Sequence, residues 1–188
     1  MDIMSIIDRY VEISVRVQKL QEKIESENRG VNYAQIEGDM AFYEKDYDSE
    51  KRYNNFANWH KKNITNAQHE LSQAKKILEF VHQQYEQTIE TMDLIQIKET
   101  AIKVSAKKEE IERKIKHLSQ RRKWAQHKGD DAFKNHNFNE EQEYNTISSD
   151  CYLEIEKISP SLHYYNAFIL NLDYRANQQL ESKSPKNI

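Results

Sequence analysis

From Leu94 to Ala125 one ridge of residues recurs at gaps of three and four: Leu94, Ile97, Ala101, Val104, Lys108, Ile111, Ile115, Leu118, Arg122 and Ala125. A seam of that period and length belongs to a helix packed lengthwise on other helices. Similar ridges run through Ile3, Ile6, Tyr10, Ile13, Val17, Leu20 and Ile24, and through Ala57, His60, Ile64, Ala67, Leu71, Ala74, Leu78, Val81 and Tyr85. A chain ruled by such seams is all-α, and few other folds are open to it. The expected fold is an elongated helical bundle with a long antiparallel coiled-coil hairpin.

Composition agrees. Of the 188 residues 37% are hydrophobic and 31% charged, with three glycines and two prolines. Ordinary globular domains carry roughly 45–50% apolar residues. Thin apolar seams with charged flanks, joined by few loops, give this balance. The spacing predicts helices over about 2–28, 32–90, 93–128, 139–158 and 160–180 in a single domain, 1–180, with a disordered tail at 181–188. Gly30 and Gly129 are read as helix stops. Ser159-Pro160 marks a fresh start or kink, and residues 129–139 are read as a loop. Between Thr88 and Leu94 the heptad phase slips by two residues, which predicts a turn rather than one kinked helix over 39–128. Tyr33, Ile36, Met40, Tyr43 and Tyr47 read as a resumed seam folding back on the first helix. The chain shows no sequence repeat on this reading.

Charge is unevenly placed. Residues 31–50 hold six acids (Glu37, Asp39, Glu44, Asp46, Asp48, Glu50) against Lys45, whereas residues 101–128 hold ten bases against three acids, a local net of +7. Lys107, Lys114, Arg121 and Lys128 sit one heptad apart at g positions, with Arg122 and Lys123 clustered beside Trp124. Such a face can pair internally, with Glu143 and Asp150 opposite Arg121 and Lys114. It can also meet an acidic protein, or track phosphates. Phe42, Tyr53 and Trp59 fall off the drawn seams and are expected to be contact residues, since Tyr and Trp dominate binding hot spots.

Catalytic and cofactor signatures are missing from the sequence. Nothing resembles a phosphate-binding glycine loop or a nucleophile elbow. Glu79-x-x-His82 offers two ligands on one helical face, but a bundle metal site needs a second such pair. Cys151 is the lone cysteine and reads as inert packing; no disulfide can form within the chain, which favours a reducing, cytoplasmic setting. No stretch has the roughly 18 apolar residues of a membrane span, and the first residues lack the pattern of a secretory signal. We therefore expect no enzyme, no cofactor and no metal. The expected protein is a helical binding factor (an inhibitor, adaptor or assembly protein) that presents a charged coiled-coil face to an acidic protein. Self-association is expected as well, given the apolar stretch 162–172. The alternatives are a nucleic-acid-associated factor using residues 103–128 and, third, a membrane-bending role.

Overall fold

The structure, a computed structural model, describes residues 2–183. It holds four helices and, among the described residues, no strand: α1 (Ile3–Tyr43), α2 (Tyr47–Glu90), α3 (Leu94–Lys134) and α4 (Phe138–Lys183). Helix α1 pairs antiparallel with α2, and α3 with α4. In the first pair Val17, Leu20 and Ile24 pack on Ala67, Leu71 and Ala74, and Arg16 reaches Glu70, one g position against another, at 3.6 Å. In the second, Lys114 meets Glu154 at 2.7 Å in the same g-to-g relation. Antiparallel coiled coils juxtapose like-lettered flanks in this way.

Every position of the Leu94–Ala125 seam is buried or half-buried, as is every position of the Ala57–Tyr85 seam. The connections differ from the sequence reading, with four helices in place of five. Gly30 does not stop α1. The buried phase runs straight through it as Leu20, Ile24, Glu27, Val31, Ala34, Gly38 and Ala41. Its hydrogen side faces the His60 ring so closely that an added Cβ would lie 2.4 Å from His60 Cε1. Gly30 is there for close approach, not for a turn. Gly129 likewise continues the α3 seam, and residues 129–134 are helix rather than loop. Pro160 sits inside α4. Ser159 Oγ donates to the Ile155 carbonyl at 2.8 Å and Ser161 Oγ to that of Ile158, so hydroxyls take up carbonyls around the imino acid. The turn expected near residue 92 is present, and Asp93 forms a capping box with Gln96 at the start of α3. Glu181, Ser182 and Lys183 extend α4 where a disordered tail was expected; the rest of that tail lies outside the described residues.

The two hairpins are copies of one another, contrary to the sequence reading. Each α1 seam position recurs in α3 at a spacing of 91 residues (Gly38 to Gly129), and each α2 position recurs in α4. Around the turns the residues themselves match: Ala34 and Ala125, Gln35 and Gln126, Gly38 and Gly129, Asp39 and Asp130. Ala41 and Ala132, Phe42 and Phe133, Tyr53 and Tyr144, and Asn54 and Asn145 match likewise. The geometry repeats too. Lys45 (φ 61°) and His136 (φ 57°) each take the left-handed conformation. Lys45 N–H donates to the Phe42 carbonyl and Asp46 N–H to that of Ala41; His136 and Asn137 do the same to Phe133 and Ala132. That is the Schellman arrangement, ended by an Asx cap: Asp46 Oδ1 accepts from Ser49 N–H at 3.1 Å, and Asn137 Oδ1 from Glu140 N–H at 3.4 Å. Gly38 faces Tyr53 and Asn54, while Gly129 faces Tyr144 and Asn145.

The chain divides into two compact units: residues 12–84, and residues up to Val11 together with those from Tyr85 onward. The first unit is the greater part of the α1–α2 hairpin. In the second, the start of α1 and the end of α2 join α3 and α4. Ile6, Ile7, Val11, Tyr85, Ile89, Ile97, Val104, Phe168 and Leu172 are buried there. Phe168 packs edge-on against both Tyr10 and Tyr85, at centroid distances of 5.1 and 4.9 Å. Tyr165 donates its hydroxyl to Asp8 at 2.7 Å, Tyr85 to Asn171 at 2.8 Å, and Arg175 to Glu86 at 2.5 Å. Burial pushes the hydroxyls of Tyr85 and Tyr165 well above the ordinary tyrosine range, Asp8 adding to the effect at Tyr165. Among the described residues no helix is long and apolar enough to cross a membrane.

Candidate functional site

With Val31, Ala34, Gly38 and Ala41 on the inner face of α1, the helical period sends Tyr33, Ile36, Met40 and Tyr43 to the outer one. They are 54, 60, 53 and 83% exposed. These residues, with Tyr47, were expected to form a resumed seam; instead they make an apolar stripe on the solvent side. Small seam residues let α1 and α2 approach closely, and the large side chains are displaced outward. The stripe is hidden in the sequence because its three-four spacing imitates a buried seam. The phase running 24, 27, 31, 34 would have revealed it.

On the heptad wheel Tyr33 and Met40 fall on the side of the antiparallel pair that also carries Phe56 and Trp59 of α2. Tyr33 meets the Tyr53 ring edge-on at 6.4 Å, and Phe56 stacks on Trp59 at 5.9 Å and 6°. Both rings also contact His60, at 4.4 and 4.8 Å. Of the three expected contact residues, Trp59 is exposed on this side and Tyr53 is half-buried at its edge. Burial, helped by the Glu37 carboxylate, holds the Tyr53 phenol above its usual range. Phe42 is exposed beside the turn and touches Tyr43.

Beneath the aromatic side lies a polar cluster. His60 Nδ1 donates to Glu27 Oε2 at 2.5 Å, and Asn63 Nδ2 donates to the same carboxylate at 3.3 Å. His60 and then Asn63 hold the Glu27 carboxyl below its ordinary value, against the opposing effect of burial. His60 stands in the seam with an acid partner. Glu27 and His60 occupy the positions that Leu118 and Cys151 fill in the second hairpin.

The basic residues of α3 are divided. Lys107 pairs with Asp8 at 3.9 Å and Lys114 with Glu154 at 2.7 Å. The expected partner of Lys114, Asp150, is not the one used. Ser148 rather than Ile147 is the buried seam residue of α4, which places Glu154 at the g position. Lys114 accordingly lowers the Glu154 carboxyl. The Arg122 guanidinium lies 4.8 Å over the Tyr152 ring. Trp124 packs edge-on against Tyr144 at 5.5 Å and stays half exposed. Arg121, Lys123 and Lys128 are exposed. Among the described residues no three His, Cys, Asp or Glu side chains come together to hold a metal, Glu79 and His82 included. Cys151 is a buried free thiol.

No protein-family model matches the chain, and neither a curated protein nor a solved structure matches it.

Proposed function

We propose that the protein is a non-enzymatic, helical protein-binding factor whose working surface is the outer, aromatic side of the α1–α2 hairpin. One observation carries this reading. Where the first hairpin exposes Ile36, Met40, Tyr43 and Trp59, the second has His127, Asp131, Lys134 and Asp150 at the equivalent positions. The second hairpin makes the same turn and the same seam with charged groups there. The fold therefore has no need of apolar side chains at these sites. Exposed apolar stripes of this kind mark interaction surfaces, and Tyr, Trp and Met are the residues such surfaces favour.

The α3 face keeps a smaller part in this account. Lys107, Lys114 and Arg122 already have partners within the chain, which leaves Arg121, Lys123 and Lys128 around Trp124 for an acidic protein or, as the alternative, nucleic acid. Of the apolar 162–172 stretch expected to drive self-association, Tyr165, Phe168 and Leu172 are buried within their own unit while Leu170 is exposed. We assign the exposed stripe of α1 to a different protein, with a second copy as the alternative that sedimentation separates. A cytoplasmic setting, suggested by the single cysteine, belongs to the same proposal, as does a role as inhibitor, adaptor or assembly factor.

Site-specific photo-crosslinking tests it. A benzophenone side chain at position 36 or 43 should give protein adducts that one at the equivalent position 127 or 134 does not. Equal yields at all four positions would overturn the assignment.

A further inference from the structure

Resting on that reading, we infer that the occupant of the stripe is a basic amphipathic helix. It would lay an apolar ridge along Tyr33, Ile36, Met40 and Tyr43 with its Lys or Arg flanks against Glu37, Asp39 and Glu44. The stripe covers three helical turns, about 15 Å at 1.5 Å per residue. That length suits three or four ridge residues of a partner helix at i, i+3, i+4 and i+7. Its charge is mainly negative: from Gly30 to Glu44 the sequence holds Glu37, Asp39 and Glu44 and no Lys or Arg, with Lys45 and Arg52 the cations next to it.

The second hairpin again supplies the comparison. Glu37 corresponds to Lys128 and Glu44 to Asn135, while Asp39 recurs as Asp130 and Tyr33 as the aromatic Trp124, so two of the three acids and the residues Ile36, Met40 and Tyr43 are peculiar to the same hairpin. Helix stability does not explain acids here. The end of a helix carries negative potential, which favours cations, and Glu44 adjoins the carboxyl end of α1. An acidic border around an apolar ridge selects a partner with cations beside its own ridge and repels one with acids there.

The probe is a fluorescein-labelled 18-residue peptide with leucines at i, i+3, i+4 and i+7 flanked by lysines, paired with a twin carrying glutamate at every lysine. Fluorescence anisotropy with the full chain should show the lysine peptide binding at least tenfold more tightly than its twin. Exchanging the stripe for the second hairpin's residues (Ile36→His, Met40→Asp, Tyr43→Lys) should weaken the lysine peptide at least tenfold. Glu37→Lys with Glu44→Asn should narrow the preference at least threefold. Equal affinity for the two peptides, or lysine-peptide binding indifferent to the stripe exchange, would overturn the inference. Sedimentation showing a dimer that the stripe exchange abolishes would also overturn it, in favour of a second copy. Stripe-dependent binding of the glutamate peptide alone would sink the basic helix yet leave the docking surface standing. Loss of the docking surface itself is read separately, from the crosslinks at positions 36 and 43.

Discussion

The two hairpins of this chain share a turn, a seam phase and a glycine contact. They differ in what they place inside and outside the seam. Inside, the first sets Glu27 against His60 where the second sets Leu118 against Cys151. Outside, the first carries Ile36, Met40 and Tyr43 where the second carries His127, Asp131 and Lys134. The usual partition of apolar core and polar surface is thus loosened twice in the first hairpin, in opposite directions. What the hairpins share is what this fold requires; what separates them is open to function. The polar cluster replaces apolar packing in the seam with a hydrogen-bonded Glu27–His60 pair. The apolar stripe lies outside the seam and faces outward.

The two hairpins should differ most at Leu172, fully buried on α4. Leu172→Ala should cost about 2–5 kcal/mol in denaturant unfolding. Its counterpart Val81, equally buried, should cost less on truncation to alanine because fewer methylenes are removed, about 0.8 kcal/mol apiece. A Val81→Ala cost above that of Leu172→Ala would break the equivalence.

Next come the glycines, where the hairpins should grade. Gly30→Ala drives a methyl into the His60 ring and should cost about 1–3 kcal/mol. In a His60→Ala background the same change should become neutral or stabilise by up to ~1 kcal/mol, the helix propensity gain. Gly129→Ala meets only the flexible Asn145 amide, at 3.3 Å, and Gly38→Ala finds ordinary contact at 3.5 Å. Both should fall within about 1 kcal/mol of native. Thermal melts of the four variants check the order.

Acid should separate the hairpins more gently. The carboxyl of Glu27 titrates lower in the folded chain than in the unfolded one. Its stabilisation is therefore complete above the ordinary glutamate value of about 4.3 and fades as the pH falls through the lower folded value. Hydrogen exchange across that window should show amides near Glu27 and His60 losing protection before those near Leu118 and Cys151. Simultaneous loss would deny the cluster this role. Smallest of all, Arg121→Glu with Lys123→Glu should leave the melting temperature nearly unchanged, since both side chains are exposed. A pronounced drop would return the basic stripe to the interior of the account.

Much of this was legible in the residues, and the part that was not has a physical cause. The α2 and α3 seams could be read because mostly apolar side chains, small and large, recur inward there at an unbroken period, with no competing row of large outward residues. Beyond Gly30 the inward residues of α1 are small (Val31, Ala34, Gly38, Ala41), while the large ones point outward, so hydrophobicity alone selected the wrong face. Glycine was read as a stop although here it admits a neighbouring side chain. In α4 the small Ser148 holds the seam and the larger Ile147 flanks it, which displaced the expected ion pair from Glu154 to Asp150. The repeat is hard to see because identity is concentrated at the turns, whereas away from them the seams share the phase and few residues besides Ile6 with Ile97 and Ile24 with Ile115.

The most direct test of the central claim is the unfolding free energy of the chain carrying Ile36→His, Met40→Asp and Tyr43→Lys. If the stripe serves docking and not folding, urea titration should place this variant within about 1 kcal/mol of native, the range of exposed substitutions. A loss beyond about 3 kcal/mol, the size of a core truncation, would make these side chains structural and contradict the account.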